Sequence, residues 1–157
     1  RLKKILASKA FDQPKRYVFS KELTVDWNAP FFNLPGQKVV VTSKRSLPKS
    51  ARKIKNLSLL SCKSKGRFLD PKNFIEKISR FKINNILLES GPNLLGSFGD
   101  VNLIDEFIFY ISPEKLGSQA EYFYKGKNKI NFFDNKQFDI VEETQVGEDK
   151  KIVFRKK

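Results

Sequence analysis

The sequence has no histidine, no methionine and a single cysteine, Cys62. Without histidine, a Ser-His-Asp triad and any His-ligated zinc site are excluded within these 157 residues, and no metal site is expected. One cysteine cannot close an internal disulfide, which is the usage of a reducing compartment, so a cytoplasmic location is expected. Methionine is missing even at position 1, and the chain is expected to be N-terminally incomplete. No apolar run approaches the roughly 18 residues of a membrane-spanning helix, and no charged-then-apolar leader opens the chain. A membrane partner is therefore not expected. Internal repeats and long low-complexity tracts are also lacking, so at this length one folded domain covering 1–157 is expected.

What is abundant is positive charge, +14 overall, but it is uneven. Residues 1–60 carry 14 Lys and Arg against 3 acids, whereas 61–157 carry 17 against 14. Seven of the 31 cations are arginine, so most of the excess is lysine, the residue of a solvated surface. The basic N-terminal half suits phosphorylated ligands. It also suits a nucleic-acid module in which Tyr17, Phe19, Trp27, Phe31 and Phe32 would stack on bases. Because most of these rings lie in or beside apolar strands, where core packing is commoner, a nucleic-acid partner is not the favoured reading.

Along the chain, Leu2, Ile5 and Leu6 suggest a helical turn within Arg1–Ala10, broken before Pro14. Arg16–Ser20, Lys38–Ser43 and Leu57–Cys62 read as short strands, and residues 26–37 as a loop with exposed aromatics. Asp70-Pro71 is a helix start, an acceptor at the N-cap followed by proline at the first position. Phe74, Ile75, Ile78 and Phe81 then form one apolar stripe. Ile86–Glu89 reads as a short buried strand ending in a carboxylate. Gly91-Pro92 turns the chain into a second helix with Leu94, Leu95 and Phe98 facing inward. Phe107–Ile111 is another strand, and Phe138–Gln145 with Lys150–Arg155 flank Gly147 as an antiparallel hairpin. Strands alternating with helices and closing on a hairpin predict an α/β domain with a mixed sheet flanked by helices.

The chemically informative stretch is Leu87-Leu88-Glu89-Ser90-Gly91-Pro92-Asn93-Leu94-Leu95-Gly96-Ser97-Phe98. Amides at a helix start attract phosphate, Gly91 permits close approach, and ligands of open α/β sheets favour the carboxyl ends of strands. An ordinary strand-to-helix turn with a solvated glutamate has the same spacing. Farther on stand Leu103-Ile104-Asp105-Glu106, an apolar run ending at Ser112-Pro113, and Leu116-Gly117. In this order the two stretches resemble the second half of the dihydrofolate-reductase-like reductase domain of the bifunctional riboflavin-biosynthesis deaminase-reductase family. Pro14–Phe19 and Lys38–Ser43 look like earlier strands of that domain.

The resemblance implies NADPH-dependent reduction of 5-amino-6-(5-phosphoribosylamino)uracil, a phosphorylated pyrimidine, to its ribitylamino product. It implies that Glu89 contacts the substrate's sugar hydroxyls and that Arg1 faces its phosphate. Gly91, Pro92, Asn93, Leu94, Leu95, Gly96 and Ser97 would hold the NADP diphosphate. Thr42 and Ser43, followed by Lys44 and Arg45, are the candidates for the cofactor's 2′-phosphate, although a solvated basic loop reads the same way. Asp105-Glu106 is expected to be structural, because neighbouring strand residues point to opposite faces. The family's first strand and its aspartate near the reacting carbon have no counterpart in this sequence, and no catalytic acid is assigned. The family's zinc deaminase would have to be a separate upstream domain, and a homodimer is expected by analogy. A related reductase of the same fold, acting on another pterin or pyrimidine, would share the cofactor half.

Overall fold

The computed structural model describes residues 13–128, 130 and 136–157, so the helical turn expected within Arg1–Ala10 lies outside the described residues. The chain divides between Lys82 and Ile83 into two compact units.

The first unit is built on three parallel strands, β1 (Arg16–Phe19), β2 (Lys38–Thr42) and β3 (Leu57–Ser61), in the order β1-β2-β3. The β-branched run of β2 makes it the central strand, and Val40, Val41 and Thr42 are completely buried. Lys38 opens the same strand and is buried too, with Nζ donating to the Leu34 carbonyl at 2.8 Å. The loop expected between β1 and β2 contains one helical turn, α1 (Pro30–Asn33), begun by proline. Its aromatics pack together rather than standing in solvent. Phe32 is buried, with Trp27 and Phe31 at ring separations of 5.1 and 5.0 Å.

A small hairpin that the sequence pattern does not announce, β4 (Ser64–Lys65) with β5 (Phe68–Leu69), turns at Gly66, whose φ is +64°. Next comes α2 (Pro71–Ile78), where Asp70 accepts from the Lys72 N–H at 3.0 Å, as an N-cap should. Phe74 is buried at the centre of this unit, 5.4 Å from the Tyr17 ring and 4.8 Å from that of Phe19, both edge-on. The predicted stripe stops one turn early. A 3₁₀ turn over Ser79–Phe81 and a left-handed Lys82 rotate Phe81 off the core face, leaving it 54% exposed beneath the Lys15 ammonium.

The second unit contains α3 (Pro92–Gly99) and an antiparallel sheet of β6 (Glu106–Ile111), β7 (Phe138–Val146) and β8 (Asp149–Lys156), ordered β6-β8-β7. The predicted hairpin is present. Its two-residue turn begins at Gly147 with φ +62°, the requirement of a type II′ connection. Phe107, Phe138, Ile152 and Phe154 form the core, with Leu95 of α3 packed against it. Glu106 lies directly opposite Arg155 and accepts from its Nε and Nη2 at 3.0 and 2.8 Å, so this acid has the structural role expected of it.

One expectation is corrected. Ile86–Glu89 is not a strand and pairs with none of the described strands, and Leu87 is 76% exposed. A short apolar run has the composition of a buried strand whether or not a neighbouring ladder is offered, and composition carries no information about the partner. Both parallel and antiparallel strands of the predicted α/β fold are present among the described residues, the parallel ones in one sheet and the antiparallel ones in two others.

Candidate cofactor and substrate site

Helix α3 starts at Gly91-Pro92, and proline at N1 removes one amide that would otherwise be orphaned. The first intrahelical bond runs from the Leu95 N–H to the Gly91 carbonyl at 3.2 Å, leaving the Asn93 and Leu94 amides ahead of it. No side chain caps them. Gly91 has an ordinary φ of −68°, so it is not needed for backbone shape, yet a Cβ there would meet nothing within 4 Å. Uncapped amides beside open space fit a phosphate group.

The other predicted residues of this helix divide by what they touch. Asn93 is exposed and Leu94 partly so, while Leu95 packs on the core. Gly96 is buried, and a Cβ on it would lie 2.5 Å from the Gly126 nitrogen and 2.6 Å from the Lys125 carbonyl carbon. Its missing side chain accommodates a crossing chain, which the Lys125 N–H fastens to the Pro92 carbonyl at 3.1 Å. The Ser97 hydroxyl donates to the Leu94 carbonyl at 2.7 Å. Glu89 is exposed in the irregular segment two residues before Gly91. Arg1 lies outside the described residues.

In the first unit, Thr42 ends β2 and Ser43 follows it. Both hydroxyls donate to the Lys21 carbonyl, at 2.8 and 2.9 Å, and Thr42 is completely buried. Lys44 and Arg45 are exposed beyond them. Lys44 Nζ is 2.5 Å from Glu22 Oε2, and its hydrogen bond holds the Glu22 carboxyl below the usual carboxylate range. Sequence pattern gives no reason to single out Lys21 or Glu22. Their importance depends on the parallel pairing of β1 with β2, which brings both strand ends together and which no local motif encodes.

A cavity of about 380 Å³ in the second unit is bordered by Asp100, Asn102, Asn128, Lys136, Phe138 and Lys156, among others, and contains none of the predicted site residues. It lies at the carboxyl end of α3, at the opposite end of that helix from the uncapped Asn93 and Leu94 amides. Among the described residues no three His, Cys, Asp or Glu side chains could together hold a metal ion, and no helix is long and apolar enough to cross a membrane.

Parallel strands, a helix opened by Gly91-Pro92 and a closing hairpin are elements of a dihydrofolate-reductase-like α/β fold, and solved structures agree. Acinetobacter baumannii RibD superimposes with a TM-score of 0.72 at 20% identity, over 92% of this chain and 38% of that one. The riboflavin biosynthesis reductase of Saccharomyces cerevisiae gives 0.73 at 15% identity, over 93% of this chain and 71% of that one. The model of the RibD C-terminal domain family matches residues 2–152, and the chain belongs to this family. The riboflavin biosynthesis protein RibD of Buchnera aphidicola subsp. Baizongia pistaciae is 37% identical over 93 residues, 59% of this chain. The match spans about a quarter of that relative's length (25%). A 5-amino-6-(5-phosphoribosylamino)uracil reductase from Buchnera aphidicola subsp. Acyrthosiphon pisum is 27% identical over 155 residues, 98% of this chain and 72% of the relative.

Proposed function

We propose that this chain acts as one reductase domain that reduces 5-amino-6-(5-phosphoribosylamino)uracil to the ribitylamino product, with NADPH as the reductant. The observation that carries this reading is the match, along nearly the whole chain, to a relative named for that reaction. The uncapped, unobstructed start of α3 supports it chemically, because the Asn93 and Leu94 amides are donors suited to a diphosphate. When bound, NADPH supplies hydride to C1 of the opened ribosyl group, and the protein's task is to hold donor and acceptor in register.

Within that task the exposed carboxylate of Glu89 accepts hydrogen bonds from sugar hydroxyls and so orients the ribosyl chain. Gly91 to Leu94 are the proposed diphosphate seat. Gly96 and Ser97 serve it by keeping the helix in place, since both are engaged within the protein. At the end of β2, Thr42 and Ser43 shape the proposed 2′-phosphate seat and the cations beyond them supply its charge. Arg1 is proposed to face the substrate phosphate. A cytoplasmic homodimer, and an upstream zinc deaminase domain as in the bifunctional members of the family, complete the proposal.

The packing of Tyr17, Phe19, Trp27, Phe31 and Phe32 against neighbouring rings favours this reading over base stacking. The test is oxidation of NADPH by the purified chain in the presence of the pyrimidine substrate. Wild type should turn over, and Glu89→Gln should lower turnover by about ten-fold or more, the effect of losing a charge-assisted hydrogen bond. Substrate-dependent oxidation that is unchanged in Glu89→Gln would remove Glu89 from the site.

A further inference from the structure

The end of β2 presents cations whose disposition is governed by the turn after β1. Thr42 Oγ1 and Ser43 Oγ both donate to the Lys21 carbonyl, which also accepts the Ser43 N–H at 3.1 Å. Each hydroxyl has one proton, and both are committed, so neither can donate to a phosphate oxygen without giving up this bond. The Lys21 ammonium reaches the other way, to the Gly66 carbonyl at 3.0 Å, and fixes the turn against the β4–β5 hairpin. That turn is closed by the Leu23 N–H on the Ser20 carbonyl and by a left-handed Leu23, φ +61°. Glu22 is therefore carried by a backbone anchored at both sides, and its carboxylate takes Lys44 at 2.5 Å. Arg45 follows, exposed.

We propose that Glu22 is a specificity-determining residue for the cofactor's 2′ substituent, because it competes with a 2′-phosphate for the Lys44 ammonium. This inference rests on the reading of the β2 end as the 2′-phosphate seat. A dianion arriving there meets a lysine already neutralised by a carboxylate, and a second negative charge close by. A 2′-hydroxyl carries no charge and meets neither obstacle. Glu22 thus narrows the advantage that two cations would otherwise give the phosphorylated cofactor. Removing its charge frees Lys44 and widens that advantage.

The experiment measures binding of 2′,5′-ADP and of 5′-AMP to the full chain by calorimetry, in wild type, Glu22→Gln, Lys44→Gln and the double variant. Both side chains are half exposed, so the variants keep the fold. Glu22→Gln is expected to tighten 2′,5′-ADP by about two- to five-fold, the range for one exposed charge pair, with 5′-AMP moving much less. The gain should shrink in the Lys44→Gln background and at high salt. Equal shifts for both nucleotides, no shift, or no binding of 2′,5′-ADP to wild type would each overturn the proposal. The two readings fail separately. Turnover with NADPH whose preference over NADH ignores Glu22 removes this inference and leaves the reductase. A chain that answers to Glu22 in binding yet never oxidises NADPH with the pyrimidine substrate does the reverse.

Discussion

Gly96→Ala puts two physical rules in opposition, which makes the outcome informative. By helix propensity alone, alanine within α3 should stabilise the protein by about 0.5–1 kcal/mol. Packing says otherwise. The new methyl would lie 2.5 Å from the Gly126 nitrogen, 2.6 Å from the Lys125 carbonyl carbon and 2.7 Å from the Lys125 oxygen. All three are backbone atoms, so no rotamer change relieves the contact, and an overpacked site of this kind costs roughly 1–3 kcal/mol. Pushing the crossing chain away also strains the 3.1 Å bond from Lys125 to Pro92, worth about 0.5–1.5 kcal/mol. The balance is a loss of roughly 1–3 kcal/mol, or about 2–12 °C in Tm for a chain of this size. Thermal and urea unfolding followed by circular dichroism, read at matched pH and salt, will measure it. Gly91→Ala is the control. Its Cβ meets nothing within 4 Å and its φ suits alanine, so the loss there should stay under about 1 kcal/mol. If Gly96→Ala leaves the protein as stable as wild type or more so, the close crossing at Gly96 is wrong, and with it the account of why α3 carries glycine at this position.

Asp70→Ala should cost about 0.5–2 kcal/mol through loss of the N-cap bond to Lys72, visible as a lower urea midpoint with an unchanged slope. Glu142 is held below the usual carboxylate range by its hydrogen bond from Lys151, whose own pKa is raised by the same contact. The carboxylate's share of stability is present above the ordinary glutamate value and lost as pH falls through the depressed one. The lysine's share is present below the ordinary lysine value and lost as pH rises through the raised one. The Tm difference between wild type and Glu142→Gln should accordingly be largest near neutrality and vanish in acid. Thermal unfolding of both proteins across an acid-to-neutral pH series measures it, and a difference that stays constant throughout contradicts the linkage.

Features whose cause is local were legible in the sequence. Asp70-Pro71 announces a helix because cap and proline act within one turn, and the β-branched run 38–42 announces a buried strand because its composition suits little else. Gly147 marks a hairpin because a two-residue connection demands a positive φ there. The same reasoning applied to Gly66 would have found β4 and β5, whose two-residue strands are too short to show a pattern. Failure came where a partner decides the outcome. Ile86–Leu88 has strand composition but no ladder among the described residues, and Phe81 has helical spacing but ends a 3₁₀ turn. At the β2 end the polar and basic residue types, Thr42 to Arg45, stand in the sequence itself. Their hydrogen bonds to Lys21 and Glu22 follow from parallel register across about twenty residues of chain, which local pattern cannot supply.

The bulge in β7 between Ile140 and Glu142 makes the two margins of the antiparallel sheet unequal. One margin is bent and its row of amides and carbonyls interrupted, so it offers a poor template for an incoming strand. The opposite margin, β6, runs unbroken from Glu106 to Ile111 with Ile108 and Tyr110 open to solvent. Within this sheet, then, the strand that bends is the one joined to β8 by the tight turn at Gly147, while the strand that reaches β8 through the long connection keeps one-to-one register along its whole length.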